Sequence, residues 1–356
     1  MTDQRTGGTA SPLDVPDTRV GPLRGIAAVL ESARRIVLTT HVNGDGDGAG
    51  SEAALAAWLS ARGAQVRIVN PTPYPPPFRF LLDSAEQVAD VGTAEGAAAL
   101  GTADLLVVLD TGEKGRIGRI AASLNGRSAV VLDHHPAGQD AIPAIAELRD
   151  PTACATGELI FDLLAVAGAT EPPVAVLRGL YAAIVTDTGS FRFSNTSPRA
   201  HAIAGELINR GVDPEAMYRH IYGTVPLRRV SLLRRALDGL EVDDELPITW
   251  ITIPHGAMEE LGAGSDDLEG IIDHARSIEG TELALLFRPT RDGSTKISFR
   301  STGQLDVNAL ARRFGGGGHV KAAGALLAEP LETARERVLD AAREAVRALV
   351  AATHSV

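Results

Sequence analysis

From residue 23 to about residue 180 the chain alternates short apolar runs with longer amphipathic stretches, and this alternation narrows the fold more than any other feature. Arg35-Ile-Val-Leu-Thr-Thr40, Gln65-Val-Arg-Ile-Val69, Asp104-Leu-Leu-Val-Val-Leu109 and Ser128-Ala-Val-Val-Leu132 are short and nearly continuously apolar, as strands buried on both faces are. Between them, stretches such as 51–62 carry helical spacing. Strands alternating with helices predict a parallel sheet covered by helices, an α/β fold. A second set of strands is expected at 248–253, 282–288, 295–300 and 322–327, with helices at 265–277, 307–314 and 331–352. These describe a smaller α/β domain with its own sheet.

A length of 356 residues suits two domains. Residues 1–22 lack hydrophobic periodicity and read as a flexible tail. A first domain is expected over 23–225, a linker helix over 226–240 after the interruption at Pro226, and a second domain over 241–352. The acidic run Glu241-Val-Asp-Asp-Glu-Leu-Pro247 marks the boundary. Pro71-Thr-Pro-Tyr-Pro-Pro-Pro77 reads as a stiff loop. Helix 226–240 either links the domains or packs against a second subunit, so a homodimer is carried as an alternative.

A net charge of −11 disfavours a protein that coats long or duplex nucleic acid, yet leaves room for a local basic site. The single cysteine, Cys154, excludes an internal disulfide and a cysteine-rich zinc site. No signal peptide and no apolar run of membrane-spanning length is evident, so a cytoplasmic, membrane-free location is expected.

The chemistry-bearing residues stand where apolar runs end. His41-Val-Asn-Gly-Asp-Gly-Asp47 follows the first strand, and its glycines are expected to let the backbone turn so that His41, Asp45 and Asp47 converge. Asp110 ends a second strand and Asp133-His134-His135 a third. The side chains of the adjacent histidines are expected to diverge. Asp187 ends a further apolar segment, 180–185. The carboxyl ends of parallel strands share one edge, where ligands bind. Four carboxylates and two imidazoles from His41, Asp45, Asp47, Asp110, His134 and Asp187 suit two divalent ions, with Mn²⁺ ahead of Mg²⁺ and both ahead of a structural zinc. In the second domain, Phe314-Gly-Gly-Gly-Gly-His-Val-Lys321 offers backbone N–H groups able to cradle an anion. The surrounding stretch, 286–325, is locally basic.

Taken in order, these motifs resemble the DHH/DHHA1 phosphoesterase family over residues 23 to 349, and within it the short oligoribonuclease/pAp-phosphatase (nanoRNase) branch. The resemblance implies a parallel-sheet catalytic domain with helices on both faces and a smaller substrate-binding domain. It implies that His41, Asp45, Asp47, Asp110, His134 and Asp187 hold the metals. Asp133 would orient a neighbouring ligand, and His135 would face the scissile phosphate. Arg300 and Ser301 match the family's substrate-binding strand; Asn308, Gly317, Gly318 and His319 match its phosphate loop. The implied substrates are short single-stranded RNA and adenosine 3′,5′-bisphosphate, with cyclic di-AMP or its linear product pApA as the rival, attacked in line by metal-activated water. Gly44 departs from the proline of many relatives and implies a looser turn. The GGGGH run argues against a pyrophosphatase, and the acidic, short chain against a processive exonuclease. A complete ligand set argues against a non-catalytic nucleotide sensor.

Overall fold

The computed structural model describes residues 11–124 and 126–353. Two compact units divide between Thr224 and Val225.

In the first unit, β1 (Arg35–Thr39), β2 (Gln65–Asn70), β3 (Val88–Asp90), β4 (Leu105–Leu109), β5 (Ala129–Asp133) and β6 (Ala146–Arg149) form one sheet in the order β3-β2-β1-β4-β5-β6. Every pairing is parallel. The strands are apolar on both sides because helices cover both faces. Ile36, Leu38, Val107 and Leu109 pack into one core cluster, while their neighbours Val37, Leu106 and Val108 pack into another on the opposite face. The covering helices are α1 (Asp17–Ser32), α2 (Gly46–Ala61), α3 (Ala94–Thr102), α4 (Thr156–Val166), α5 (Val174–Asp187), α6 (Pro198–Asn209) and α7 (Pro214–Ile221). The expected α/β class is therefore observed.

Helix α1 starts at Asp17, inside the stretch read from sequence as a tail. Residues 1–10 lie outside the described residues. The start is fixed by Arg19, which is only 2% exposed and pairs with Asp150, Glu158 and Asp162 at 2.6, 2.7 and 2.8 Å. A helix end held by buried ion pairs leaves no apolar periodicity to read.

The second unit opens with α8 (Leu227–Asp238). Its sheet holds β7 (Leu240–Val242), β8 (Ile248–Thr252), β9 (Leu283–Pro289), β10 (Thr295–Ser301), β11 (Gly317–His319) and β12 (Ala322–Leu327), in the order β11-β12-β10-β9-β8-β7. Only β8 and β9 run parallel. Helices α11 (Val307–Arg312) and α12 (Leu331–Thr353) pack on one face; α8, α9 (Ala257–Leu261) and α10 (Ile271–Arg276) pack on the other. The acidic run 241–247 falls within this unit, at the end of β7 and in the turn after it. Among the described residues no helix is long and apolar enough to cross a membrane.

Candidate metal centre

Strand order reverses direction between β1 and β4, and a doubly wound sheet opens its ligand crevice at such a point, outside the carboxyl ends of the strands. His41 follows β1, Asp110 follows β4, and Asp133 ends β5, so all three stand on this edge.

Asp110 adopts φ +63°, a left-handed conformation that aspartate tolerates better than most residues, and it re-aims the carboxylate at the strand end. Its two oxygens face different ways. Oδ2 lies 3.2 Å from His41 Nε2, and Oδ1 lies 3.5 Å from His134 Nε2, with the Thr156 hydroxyl donating to it at 3.1 Å. On the Oδ2 side, His41 Nε2 also stands 3.8 Å from the exposed Asp45. On the Oδ1 side, His134 Nε2 stands 3.6 Å from Asp47 Oδ2 and 3.7 Å from Asp187 Oδ2. The six residues thus form two groups, His41–Asp45–Asp110 and Asp47–His134–Asp187, with Asp110 reaching both.

Each side chain is held from behind. The Nδ1 atoms of His41 and His134 lie 3.0 and 3.3 Å from the carbonyls of Val42 and Ala153. A carbonyl only accepts, so both Nδ1 atoms carry hydrogen and both Nε2 atoms are left to face the carboxylates. Asp45 caps α2, accepting from the Asp47 and Gly48 amides. Asp47 accepts from the Thr156 and Gly157 amides at the start of α4, at 2.6 and 3.0 Å, and from the Ser51 hydroxyl. Asn195 donates to Asp187 at 3.0 Å. Sequence reading missed Thr156, Gly157 and Asn195; the only trace of the first two is a Thr-Gly pair where a helix begins.

The glycines before and within α2 do other work than the expected turn. Gly44, Gly46, Gly48 and Gly50 all have ordinary φ, and Asn43, at φ +57°, makes the left-handed bend instead. Gly50 and Gly179 let α2 and α5 cross closely: a Cβ on Gly50 would come within 2.5 Å of the Gly179 carbonyl, and one on Gly46 within 2.3 Å of Thr186. That contact brings Asp47, at the start of α2, to Asp187, at the end of α5.

His134 and His135 do not diverge as expected. Their rings meet edge-on with centroids 4.5 Å apart, and His135 Nδ1 lies 3.7 Å from the same Asp110 oxygen that His134 faces. Asp133 Oδ1 accepts from both the amide and Nδ1 of His135, at 3.0 and 2.9 Å.

The site is short of positive charge. Among the described residues, the ion pairs of Asp45, Asp47, Asp110 and Asp187 are all with histidines. Burial, with Asp110, Asp187 and Asp45 nearby, drives the Asp47 carboxyl well above the usual carboxylate range. Burial, with the Asp110 and Asp45 charges adding to it, pushes Asp187 up to about 6. Asp110 is held low despite burial, through its bond to His41 and the charges of His41, His135 and His134. His41, despite burial, is raised by Asp110 and the Val42 carbonyl, and His135 by its bond to Asp133. His134 Nε2 is buried and has no hydrogen-bond partner, although three carboxylate oxygens surround it. Such spacings are too long for hydrogen bonds and suit ligands sharing one cation at about 2.1 Å each. An orphaned imidazole nitrogen among uncompensated buried carboxylates fits a divalent ion.

In the second unit, Arg300 and Ser301 end β10. Burial lowers the Arg300 pKa, with the repulsion of Arg276 adding to it against the attraction of Asp273, and among the described residues its side chain donates only to the Phe299 carbonyl, through Nη1. The Ser301 hydroxyl is buried without a partner. Arg300 pairs with Ala322, which pairs in turn with His319, so these backbones lie in one row across β10, β12 and β11. The glycine run is less open than the expected cradle. Gly317 and Gly318 belong to β11, the Gly318 amide donates to Asn308 Oδ1 at 3.1 Å, and a Cβ on Gly316 would come within 2.1 Å of the Gly324 carbonyl. Close strand packing requires glycine at 316 and 318, whereas a Cβ on Gly317 would meet only ordinary contact.

The N-terminal domain model of the DHH family matches residues 35–184, and the DHHA1 domain model matches residues 253–351. The chain is 33% identical to the bifunctional oligoribonuclease and PAP phosphatase NrnA of Thermus thermophilus, over 90% of this chain and 94% of that protein. It is 28% identical to the NrnA of Bacillus subtilis, over 82% and 88%. A crystal structure of an exopolyphosphatase-related protein from Bacteroides fragilis shares the fold, with a TM-score of 0.82 at 23% identity over 92% of this chain and 96% of that one. With both domain models matched and a relative this similar along nearly its whole length, the chain belongs to the DHH phosphoesterase family, in the two-domain form that joins a DHH domain to a DHHA1 domain.

Proposed function

We propose that this protein is a metal-dependent phosphoesterase that hydrolyses short oligoribonucleotides to mononucleotides and converts adenosine 3′,5′-bisphosphate to AMP. The observation that carries this reading is the position of Asp110, whose two oxygens face two separate groups of histidine and carboxylate ligands. The NrnA relatives, named as oligoribonucleases and PAP phosphatases, supply the substrate class. His41, Asp45 and Asp110 would hold one divalent ion and Asp47, His134 and Asp187 the other, with Asp110 able to contribute to both. When bound, such ions neutralise charge developing on phosphoryl oxygens and acidify water. Mn²⁺ is the proposed ion and Mg²⁺ its alternative.

His135 holds a proton on Nδ1 against Asp133, and its raised pKa favours a second proton on Nε2 for donation to a phosphate oxygen. Asp133 is its positioning residue. Arg300, a half-buried cation with no ion pair among the described residues, and the unpaired Ser301 hydroxyl bind a substrate phosphate, together with Asn308, Gly317, Gly318 and His319.

The test is product analysis over time, with Mn²⁺, on end-labelled RNAs from dinucleotides to long oligomers, beside adenosine 3′,5′-bisphosphate and cyclic di-AMP. Rapid release of mononucleotides from the shortest RNAs, with long oligomers spared, supports the proposal. Consumption of the cyclic dinucleotide alone would reassign the same site to a second-messenger phosphodiesterase, as a 28% identical stretch of the cyclic-di-AMP phosphodiesterase GdpP invites. Arg300→Ala should raise KM for short RNA more than it lowers kcat; an unchanged KM moves phosphate binding elsewhere.

A further inference from the structure

The turn that follows Asp187 is strained. Gly189, Ser190 and Phe191 all lie in the left-handed region, with φ of 55°, 58° and 63°. Serine and phenylalanine adopt such angles only where the surroundings insist. Here hydrogen bonds insist. The Ser190 amide donates to the Val185 carbonyl at 2.7 Å, and the Arg192 and Phe193 amides donate to the Thr188 carbonyl at 2.9 and 3.0 Å. Arg192 Nε donates to the Gly189 carbonyl at 2.7 Å, and Asn195 ties the far end of the turn to the Asp187 carboxylate.

The turn carries two phenylalanines with opposite fates. Phe191 packs against the core and stacks on His201, with ring centroids 4.7 Å apart. Phe193 is 53% exposed, and the tip of its ring is propped on Gly189, where a Cβ would come within 2.4 Å of it. A single exposed apolar side chain is ordinary on a protein surface. This one is presented by a strained, many-bonded turn that begins at a candidate metal ligand, and Gly189 is the residue that leaves room for the ring.

We propose that Phe193 is the seat for a nucleobase, stacking on the base of a nucleotide whose phosphate lies at the Asp47–His134–Asp187 group. A base is tethered to its phosphate by one sugar, so its seat has to lie near the phosphate site, and the turn starts there. Stacking is indifferent to base identity because every base offers a π-face. The seat therefore accepts RNA of any sequence as well as an adenine nucleotide. This inference rests on the phosphoesterase reading and narrows its substrates to phosphoesters that carry a base.

Calorimetric binding of AMP and of ribose 5-phosphate, both in Mn²⁺, tests it without turnover. Phe193→Ala should weaken AMP by on the order of tenfold while changing ribose 5-phosphate by less than about twofold. Phe193→Trp should keep AMP affinity, and Phe193→Leu, which preserves apolar bulk against Gly189, should bind AMP as poorly as the alanine variant. Equal losses for both ligands, an AMP affinity that Phe193→Ala does not move, or full affinity in Phe193→Leu would overturn the inference. A wild type that shows the Phe193-dependent gain yet hydrolyses neither short RNA nor adenosine 3′,5′-bisphosphate overturns the hydrolytic reading and leaves the base seat standing. A wild type that hydrolyses both, with an AMP affinity indifferent to Phe193, does the reverse.

Discussion

The first unit buries two groups of carboxylates and treats them differently. Glu158 and Asp162 sit fully buried on α4 against Arg19 and Arg199, with Arg19 at 2.7 and 2.8 Å from them and Arg199 pairing with both. Asp47, Asp110 and Asp187 are also buried to varying degrees, yet their ion-pair partners are histidines alone among the described residues. A buried carboxylate that brings its own guanidinium is a fastening; one that lacks it needs a proton or an external cation. Glu52 illustrates the proton. Fully buried, it is pushed up to about 8 by desolvation, and Asn70 donates to it at 2.9 Å. The two groups also touch through α4. Glu158 accepts from the Cys154 amide, and the two residues just before it, Thr156 and Gly157, supply the amides that hold Asp47. The fastening thus braces the site.

If that contrast is right, removing Asp110 and removing Arg19 should damage different properties. Asp110→Asn should lower turnover by on the order of a thousandfold or more and abolish tight Mn²⁺ binding while the circular dichroism spectrum stays native. Near-normal turnover would break the two-ion arrangement. Arg19→Ala should destabilise the fold by roughly 3–5 kcal/mol in urea unfolding, because it strands buried carboxylates. A loss under about 1 kcal/mol would mean that the Arg19 cluster is not a fastening.

Mn²⁺ should stabilise the metal-free protein by about 2.7 kcal/mol per site at a hundredfold excess over Kd, and Asp110→Asn should lose that gain in thermal unfolding. The pH response sharpens the comparison further. In the metal-free protein Asp187 holds its proton up to about pH 6, above its ordinary value, so the folded state binds that proton more tightly than the unfolded chain. The stability of wild type relative to Asp187→Asn should then fall, by on the order of 2 kcal/mol, as pH rises from about 4 to 6. Excess Mn²⁺ should reverse that slope, since the ligand must be deprotonated to bind. A relative stability that rises with pH without metal would show that Asp187 is already neutralised by another group. The smallest effect is expected at Glu52. Glu52→Gln should change stability at neutral pH by less than about 1 kcal/mol, since a protonated carboxyl and an amide are close in shape and charge.

Much of this was legible in the sequence. The continuous apolar runs of β1, β4 and β5 announced a parallel sheet, and the polar residues that end them announced a shared edge, because side-chain burial on both faces leaves function only the strand ends. The metal-ligand candidates His41, Asp45, Asp47, Asp110, His134 and Asp187 were all visible, and the structure brings them together. The start of α1 was not visible, because Arg19 is buried by charge pairing rather than by apolar spacing. Nor was the role of Gly46, Gly50 and Gly179, since a glycine looks the same in a bend and in a close helix crossing. The partial closure of the glycine run by Asn308 and β12 depends on a partner strand that local sequence does not name.

The sequence by itself determined the composition of the site and the class of fold, since hydrophobic periodicity and residue chemistry are local properties of the chain. The tertiary structure decided how the carboxylates divide between cation, proton and guanidinium, that Asp110 stands between two ligand groups, and that Phe193 rather than Phe191 faces outward. Those outcomes depend on distances between residues such as Asp47 and Thr156, 109 positions apart in the chain, which only packing sets.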